Sequence, residues 1–267
     1  MNIPCSIDPL GTRNMIPSVF THVEAFECNG QQKIELRIAF SSNFGFRFVV
    51  EDSSQSEVST LLFAAGTFFP SCYNGALRFK MPSRSYFPIK DGSYTEAWRE
   101  TVDRDYYVVR GKKIDGAFNW KCSGDYEFSF GNEYVKRIIP ENVVGSPVIA
   151  LFGSDSGAKF FGLFYNMHVT EGSALQASLI PCIDKDGVPC LYDTVRKETL
   201  LNIGLSDFIV CLSSQKQLNN MLQRLPDRTG QEVGTLQVRL DAELQTPENL
   251  AALEAMVDKN WEISQAA

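Results

Sequence analysis

Lys33-Ile-Glu-Leu-Arg-Ile-Ala-Phe40 alternates polar and apolar side chains, so Ile34, Leu36, Ile38 and Phe40 share one face of an extended strand. Stretches of the same kind lie on both sides of it. Phe44–Val50, Thr60–Ala65, Tyr106–Arg110, Asp125–Phe130, Pro147–Phe152 and the aromatic-rich Lys159–Val169 all read as strands. Gly, Asn, Asp and Ser gather between them, as turns require, and a Ser-rich polar loop covers 52–59. Nothing between Phe20 and Cys211 spaces its apolar residues as an amphipathic helix would. Aromatic residues make up 12% of the chain, with 19 Phe, and large rings suit pleated sheets. The expected fold is mainly β: a two-sheet antiparallel sandwich over residues 19–212.

The two ends read differently. Residues 1–18 hold Pro4, Pro9 and Pro17, which preclude a stable helix and favour an extended arm. That arm is either a frayed terminus or a segment that docks on a neighbouring subunit. From Ser213 the period changes. Leu218, Met221, Leu222 and Leu225 recur at helical spacing and Pro226 stops the run. Thr235–Leu240 alternates as a strand, and Thr246 with Pro247 opens a second helix as N-cap and first helical residue. Trp261–Ser264 reads as a last short strand. This helix–strand–helix–strand appendage, residues 213–267, is small for a self-supporting unit and needs another surface to pack on.

The 267 residues carry 25 Lys+Arg against 32 Asp+Glu, a net charge of -7. That balance argues against a nucleic-acid partner, whose phosphates demand clustered cations. No apolar run approaches the ~20 residues that span a bilayer, so no membrane insertion is expected. The seven cysteines are Cys5, Cys28, Cys72, Cys122, Cys182, Cys190 and Cys211, an odd number at irregular spacing. This is not a disulfide framework. The opening residues lack a basic and apolar leader, so synthesis and folding are expected in a reducing cytoplasm. Oxidation could join Cys182 to Cys190 across a short loop, but spacing alone sets no geometry.

Motifs that carry chemistry are scarce. His22 and His168 are the only histidines, and His168 lies in an aromatic strand, where a structural imidazole is expected. Cys182 and Cys190 are too far apart in sequence for the close Cys pairs of structural zinc, and Asp184-Lys-Asp186-Gly187 lacks the Glu of a calcium loop. No phosphate loop or nucleophile elbow occurs, so no cofactor and no metal are expected. Sandwich glycosidases need two carboxyls about 5–5.5 Å apart if they retain configuration. Asp125 and Glu127 sit two apart on one strand and satisfy that pattern, whereas Glu24 and Glu27, three apart, do not. A solvated polar face also explains Asp125 and Glu127. Residues 83–110 set aromatic rings among polar neighbours between strands, and Tyr86, Tyr94 and Trp98 are the candidates for stacking on a sugar. Burial in the core or in an oligomer contact explains the same residues.

Val23-Glu-Ala-Phe-Glu-Cys-Asn-Gly-Gln-Gln-Lys-Ile-Glu-Leu-Arg-Ile38 resembles the opening of concanavalin A-like (laminin-G-like) jelly-roll domains of phage virion and gut-bacterial surface proteins. Lys33 stands where those domains usually have Tyr. Leu179-Ile-Pro-Cys-Ile-Asp-Lys-Asp-Gly-Val-Pro-Cys-Leu-Tyr-Asp193, with Asn202-Ile-Gly204 and Phe208, resembles their closing segment, in which Asp186-Gly187 would be a hairpin turn. Leu218–Gly230 with Lys259–Ile263 is similar to a short leucine-rich-repeat-like unit. These resemblances mark the fold rather than a catalytic set. They imply a non-enzymatic structural protein of a phage particle: a decoration, fibre or tail-appendage module. It would be located in the virion, fastened to other virion subunits by its arm and appendage, and homo-oligomeric. Its exposed loops would meet a host-surface polysaccharide. The alternatives are a glycan-hydrolysing enzyme using Asp125 and Glu127, and a bacterial surface adhesin.

Overall fold

The computed structural model describes residues 16–38, 44–53, 58–60, 62–64, 69–73, 76–80, 85–88, 94–96, 111–120, 126–130, 134–138, 148–153 and 159–266. Its strands, in chain order, begin with β1 (Thr21–His22), β2 (Ala25–Asn29), β3 (Ile34–Arg37), β4 (Phe44–Asp52), β5 (Val58–Thr60), β6 (Leu62–Ala64) and β7 (Phe69–Tyr73). They continue with β8 (Ala76–Lys80), β9 (Ser85–Pro88), β10 (Tyr94–Glu96), β11 (Lys113–Trp120), β12 (Tyr126–Phe130), β13 (Tyr134–Ile138) and β14 (Val148–Leu151). The last are β15 (Phe161–Glu171), β16 (Ala174–Ile183), β17 (Pro189–Asp193), β18 (Glu198–Leu201), β19 (Ile209–Leu212), β20 (Gly234–Leu240) and β21 (Trp261–Gln265). Helices α1 (Gln215–Arg224) and α2 (Pro247–Glu254) lie in the C-terminal part. The fold is mainly β: one 13-stranded sheet, two smaller sheets of five and three strands, and a small helical appendage.

Burial follows the alternation read from the sequence. Phe44, Phe46, Phe48 and Val50 of β4 are buried, as are Ile34, Leu36 and Ile38, and Phe40 lies outside the described residues. The Tyr106–Arg110 stretch and the arm up to residue 15 also lie outside them. Phe26, Phe152, Phe164 and Phe208 form the aromatic centre of the core, with Phe26 stacked on Phe208 at 4.6 Å and Phe152 edge-on to Phe164 at 5.0 Å.

The long strand β15 organises the large sheet. One side pairs with β4 along its length. On the other side its first half, Phe161–Phe164, pairs with β2, and its second half, Met167–Glu171, pairs with β16. The sheet therefore forks beside Tyr165. The chain crosses the fork at Val23-Glu24, where Val23 N donates to Pro181 O (3.3 Å) and Glu24 N to Cys211 O (3.2 Å). Gly162 is required nearby, because a Cβ there would lie 2.0 Å from the Glu51 carbonyl oxygen.

The C-terminal appendage continues this sheet. β19 pairs with β20 and β20 with β21, both in parallel, which the intervening helices α1 and α2 make possible. Thr246 Oγ1 accepts from Asn249 N at 3.3 Å, with Pro247 opening α2. Ser214 caps α1 in the same way, its Oγ accepting from Gln217 N at 3.3 Å. Leu218, Met221, Leu225, Val238, Leu253 and Trp261 belong to the same buried cluster as Phe26 and Phe164. The surface on which residues 213–266 pack is thus the sandwich itself.

Candidate functional site

Alternation in β4 leaves Arg47, Val49 and Glu51 on the sheet face opposite the phenylalanine core. Register then sets their neighbours: Lys113 opposite Glu51, Asp115 opposite Val49, and His168 opposite Arg47. Between Phe164 and Asn166 the β4–β15 register slips by one residue, and Tyr165 is the extra one. The bulge at the fork brings its phenol to Glu51, with Tyr165 Oη donating to Glu51 Oε2 at 3.5 Å.

Lys113 spans the fork. Its Nζ lies 3.6 Å from the Tyr165 ring centroid and 3.7 Å from Glu24 Oε1. Gln217 Nε2 of α1 donates to Glu24 Oε2 at 3.4 Å. One strand further, Arg239 NH1 of β20 meets Glu27 Oε2 at 2.8 Å. Arg47 and Asp115 form a two-bond pair, Nε–Oδ1 at 3.0 Å and NH2–Oδ2 at 2.7 Å. Glu24 and Glu27, expected to diverge because they stand three apart in sequence, therefore share this face. The strand breaks at Val23-Glu24, and an interrupted strand no longer alternates.

Burial and the local carboxylates set the protonation states. Tyr165 is pushed well above the usual phenol range by burial first, then by the negative charges of Glu51 and Glu24, so its hydroxyl stays a donor. Burial also raises Glu27, against the opposing pull of Arg239. Asp241 is raised by burial and by its neighbours Glu24 and Glu243. Burial pushes the Cys211 thiol up to about 12. The face thus offers a phenol, an ammonium and two guanidinium groups as donors, interleaved with carboxylate acceptors beside an aromatic ring. Among the described residues, no group of three or more His, Cys, Asp or Glu is arranged to hold a metal ion.

The aromatic candidates fall elsewhere. Tyr86 lies in β9 opposite Glu96, and Tyr94 in β10 opposite Pro88, both in the five-stranded sheet. They are strand residues and not loop residues as expected, because Ser85–Pro88 and Tyr94–Glu96 pair with each other as a hairpin. Trp98 and Asp125 lie outside the described residues, and Glu127 stands in β12 opposite Asn119 and Arg137. Sequence reasoning set Glu24 and Glu27 aside and missed Glu51, Lys113, Tyr165 and Arg239. They come from segments far apart in the chain, and the outward alternation of Arg47 and Glu51 around the apolar positions of β4 was the only local signal.

No family model matches the chain, and no curated protein matches it. Several solved structures resemble it in outline. One, provisionally described as a carbohydrate-binding protein from Bacteroides ovatus, is 10% identical with a TM-score of 0.45, covering 71% of this chain and 60% of its own. The CBM40 domain of a Ruminococcus gnavus IT-sialidase, bound to α2,3 sialyllactose, is 13% identical with a TM-score of 0.39, over 57% of this chain and 91% of its own. Alginate lyase A1-II', of polysaccharide lyase family 7, is 9% identical with a TM-score of 0.30, over 51% of this chain and 64% of its own.

Proposed function

We propose that this protein is a non-enzymatic glycan-binding sandwich of a phage particle, a decoration, fibre or tail-appendage module that meets a host-surface polysaccharide. The observation that carries the glycan reading is the Tyr165–Lys113–Glu24–Glu51 set at the sheet fork. A sugar presents vicinal hydroxyls and an apolar ring face. Carboxylates accept from the hydroxyls, a phenol and an ammonium donate to them, and an aromatic ring packs on the face. The side chains are already held by one another, so little freedom is lost on binding. Tyr165 and Cys211 stay protonated at neutral pH, which suits recognition better than nucleophilic attack.

The test is a glycan array on the purified protein with Tyr165→Ala, Lys113→Ala and Trp98→Ala alongside. Reproducible binding that falls about tenfold or more in Tyr165→Ala supports the fork site. A loss confined to Trp98→Ala would move the site to the 83–110 stretch. Absence of binding to any glycan would overturn the reading, and hydrolysis of a bound glycan would overturn its non-enzymatic part. A particle proteome without the protein would remove the virion assignment.

A further inference from the structure

Two cysteines that the sequence separates by a turn face each other directly in the sheet. β16 and β17 pair antiparallel with Cys182 opposite Cys190. Gly187 N donates to Asp184 O at 3.1 Å, Asp184 N donates to Val188 O at 3.0 Å, and Gly187 takes φ +84°, so the hairpin is tight and its register is pinned. Counting inward from the Asp184–Val188 bond, Ile183–Pro189 and Pro181–Leu191 are non-hydrogen-bonded pairs, positions at which the ladder between β16 and β17 asks no N–H of a proline. Cys182–Cys190 falls between them as a hydrogen-bonded pair. Such pairs hold their Cα atoms about 5.5 Å apart, inside the ~4.4–6.8 Å range over which disulfides form. Both thiols are completely buried and free. The other three cysteines among the described residues have no cysteine opposite them: Cys211 pairs with Ala25 and Arg239, Cys72 with Ser59 and Leu77, and Cys28 with Gly162.

We propose that Cys182 and Cys190 form a reversible intrachain disulfide site whose oxidant is a small-molecule disulfide of the glutathione class. The thiolate of one cysteine attacks the glutathione disulfide, giving a mixed disulfide and one glutathione thiolate. The second cysteine attacks the protein sulfur of that mixed disulfide and displaces the second glutathione. One bond forms between Cys182 and Cys190, two electrons pass to glutathione disulfide, and the two thiol protons end on the released glutathiones. Directly opposed Cβ atoms stand about 4.5–5.5 Å apart, more than the ~3.8 Å of a relaxed bridge. Closing it draws β16 towards β17, and a thiol in excess reverses it by the same exchange.

The movement has a structural address. Cys182 and Cys190 cluster with Ile180 and Tyr192, against which Ile16 and Phe20 pack, with the Phe20 and Tyr192 rings 4.7 Å apart. The same segment is tied to α1 by Arg224 NH1, which donates to Ser18 O at 2.9 Å and Phe20 O at 2.7 Å. The redox state of the pair therefore acts on the seat of residues 16–20, where the chain enters the sandwich. Burial raises both thiols, Cys182 to about 12, so exchange is slow in the folded protein and fast while the hairpin is forming or open.

The experiment refolds the full chain from urea in a buffer of reduced and oxidised glutathione, then alkylates it and maps non-reduced peptides by mass spectrometry. The expected result is a linkage between Cys182 and Cys190, lighter by two hydrogen masses, reopened by dithiothreitol, with Cys28 and Cys211 alkylated. The bridged form should show about tenfold or more less unfolded chain at a fixed urea concentration than the reduced form. Recovery of Cys182 and Cys190 as free, alkylated thiols would overturn the proposal, as would pairing of either with a different cysteine. In Cys182→Ser, Cys190 should be recovered free or glutathionylated, and the wild-type map stands whether or not that variant folds.

Discussion

Replacing Trp261 by alanine tests whether the C-terminal appendage is part of the sandwich's cooperative unit. Its indole is 3% exposed and belongs to the main core, although it sits on the last strand, β21. Nε1 donates to Pro226 O at 2.8 Å. The ring lies over two backbone positions without side chains: a Cβ on Gly187 would be 2.2 Å from it, and one on Gly234 2.6 Å. Gly187 belongs to the β16–β17 hairpin of the sandwich, so this one ring joins the two parts. With glycine beneath it, the space left by the ring cannot be refilled by side chains, which places Trp261→Ala in the ~3–5 kcal/mol range of large aromatic truncations. At roughly 2–4 °C per kcal/mol, the midpoint of thermal unfolding should fall by about 6–20 °C. Trp261→Phe retains most of the packing and strips the Pro226 carbonyl of its donor, at a cost of about 1–3 kcal/mol. The assay is urea unfolding followed by far-ultraviolet circular dichroism. A single transition is expected for all three proteins, with the midpoint lowered and the slope unchanged. A biphasic curve in which Trp261→Ala shifts only a minor phase would refute the reasoning, because the appendage would then unfold alone.

Asp193 is fully buried, and its Oδ1 accepts from Ser178 N (3.0 Å), Val195 N (2.9 Å) and Arg196 N (3.2 Å). Asp193→Ala should cost about 2–4 kcal/mol in the same urea assay and Asp193→Asn clearly less, because the amide keeps one acceptor; equal losses would show that the turn does not depend on these bonds. Glu27 has its pKa raised by burial, against the pull of Arg239, so its titration in the folded protein should be centred above 4.5 in a carbon-13 carboxyl experiment. Arg239→Met should move it higher still, and a downward move would contradict the pairing. A raised acid means that the native state binds the extra proton, so this group's contribution is fullest below pH 4.5 and declines as pH rises through the folded value, a decline steeper in Arg239→Met.

The strands around Ile34–Leu36, Phe44–Val50 and Phe161–Val169, the helices of the appendage and the position of the hairpin at Asp186-Gly187 were legible in the sequence, because each rests on local physics, whereas β7 to β11 and β13 were not read from it. Strand side chains alternate, helix side chains recur at three and four residues, Thr246 and Pro247 cap a helix without help, and Gly187 takes a positive φ that side chains resist. Identifying the residues that meet was a different matter. Tyr165 reaches Glu51 because β15 bulges against β4, and Lys113 reaches Glu24 because the sheet forks where the chain crosses between branches. Arg239 reaches Glu27 because β20 joins the sheet in parallel beside β19, through a helix that the sequence alone does not dock. The opposed thiols of Cys182 and Cys190 likewise depend on hairpin register, which a shift of one residue would undo. Periodicity reports which face a side chain occupies within its own element. The choice of neighbouring strand, and with it every polar contact of the candidate site, was decided by long-range packing around the phenylalanine core.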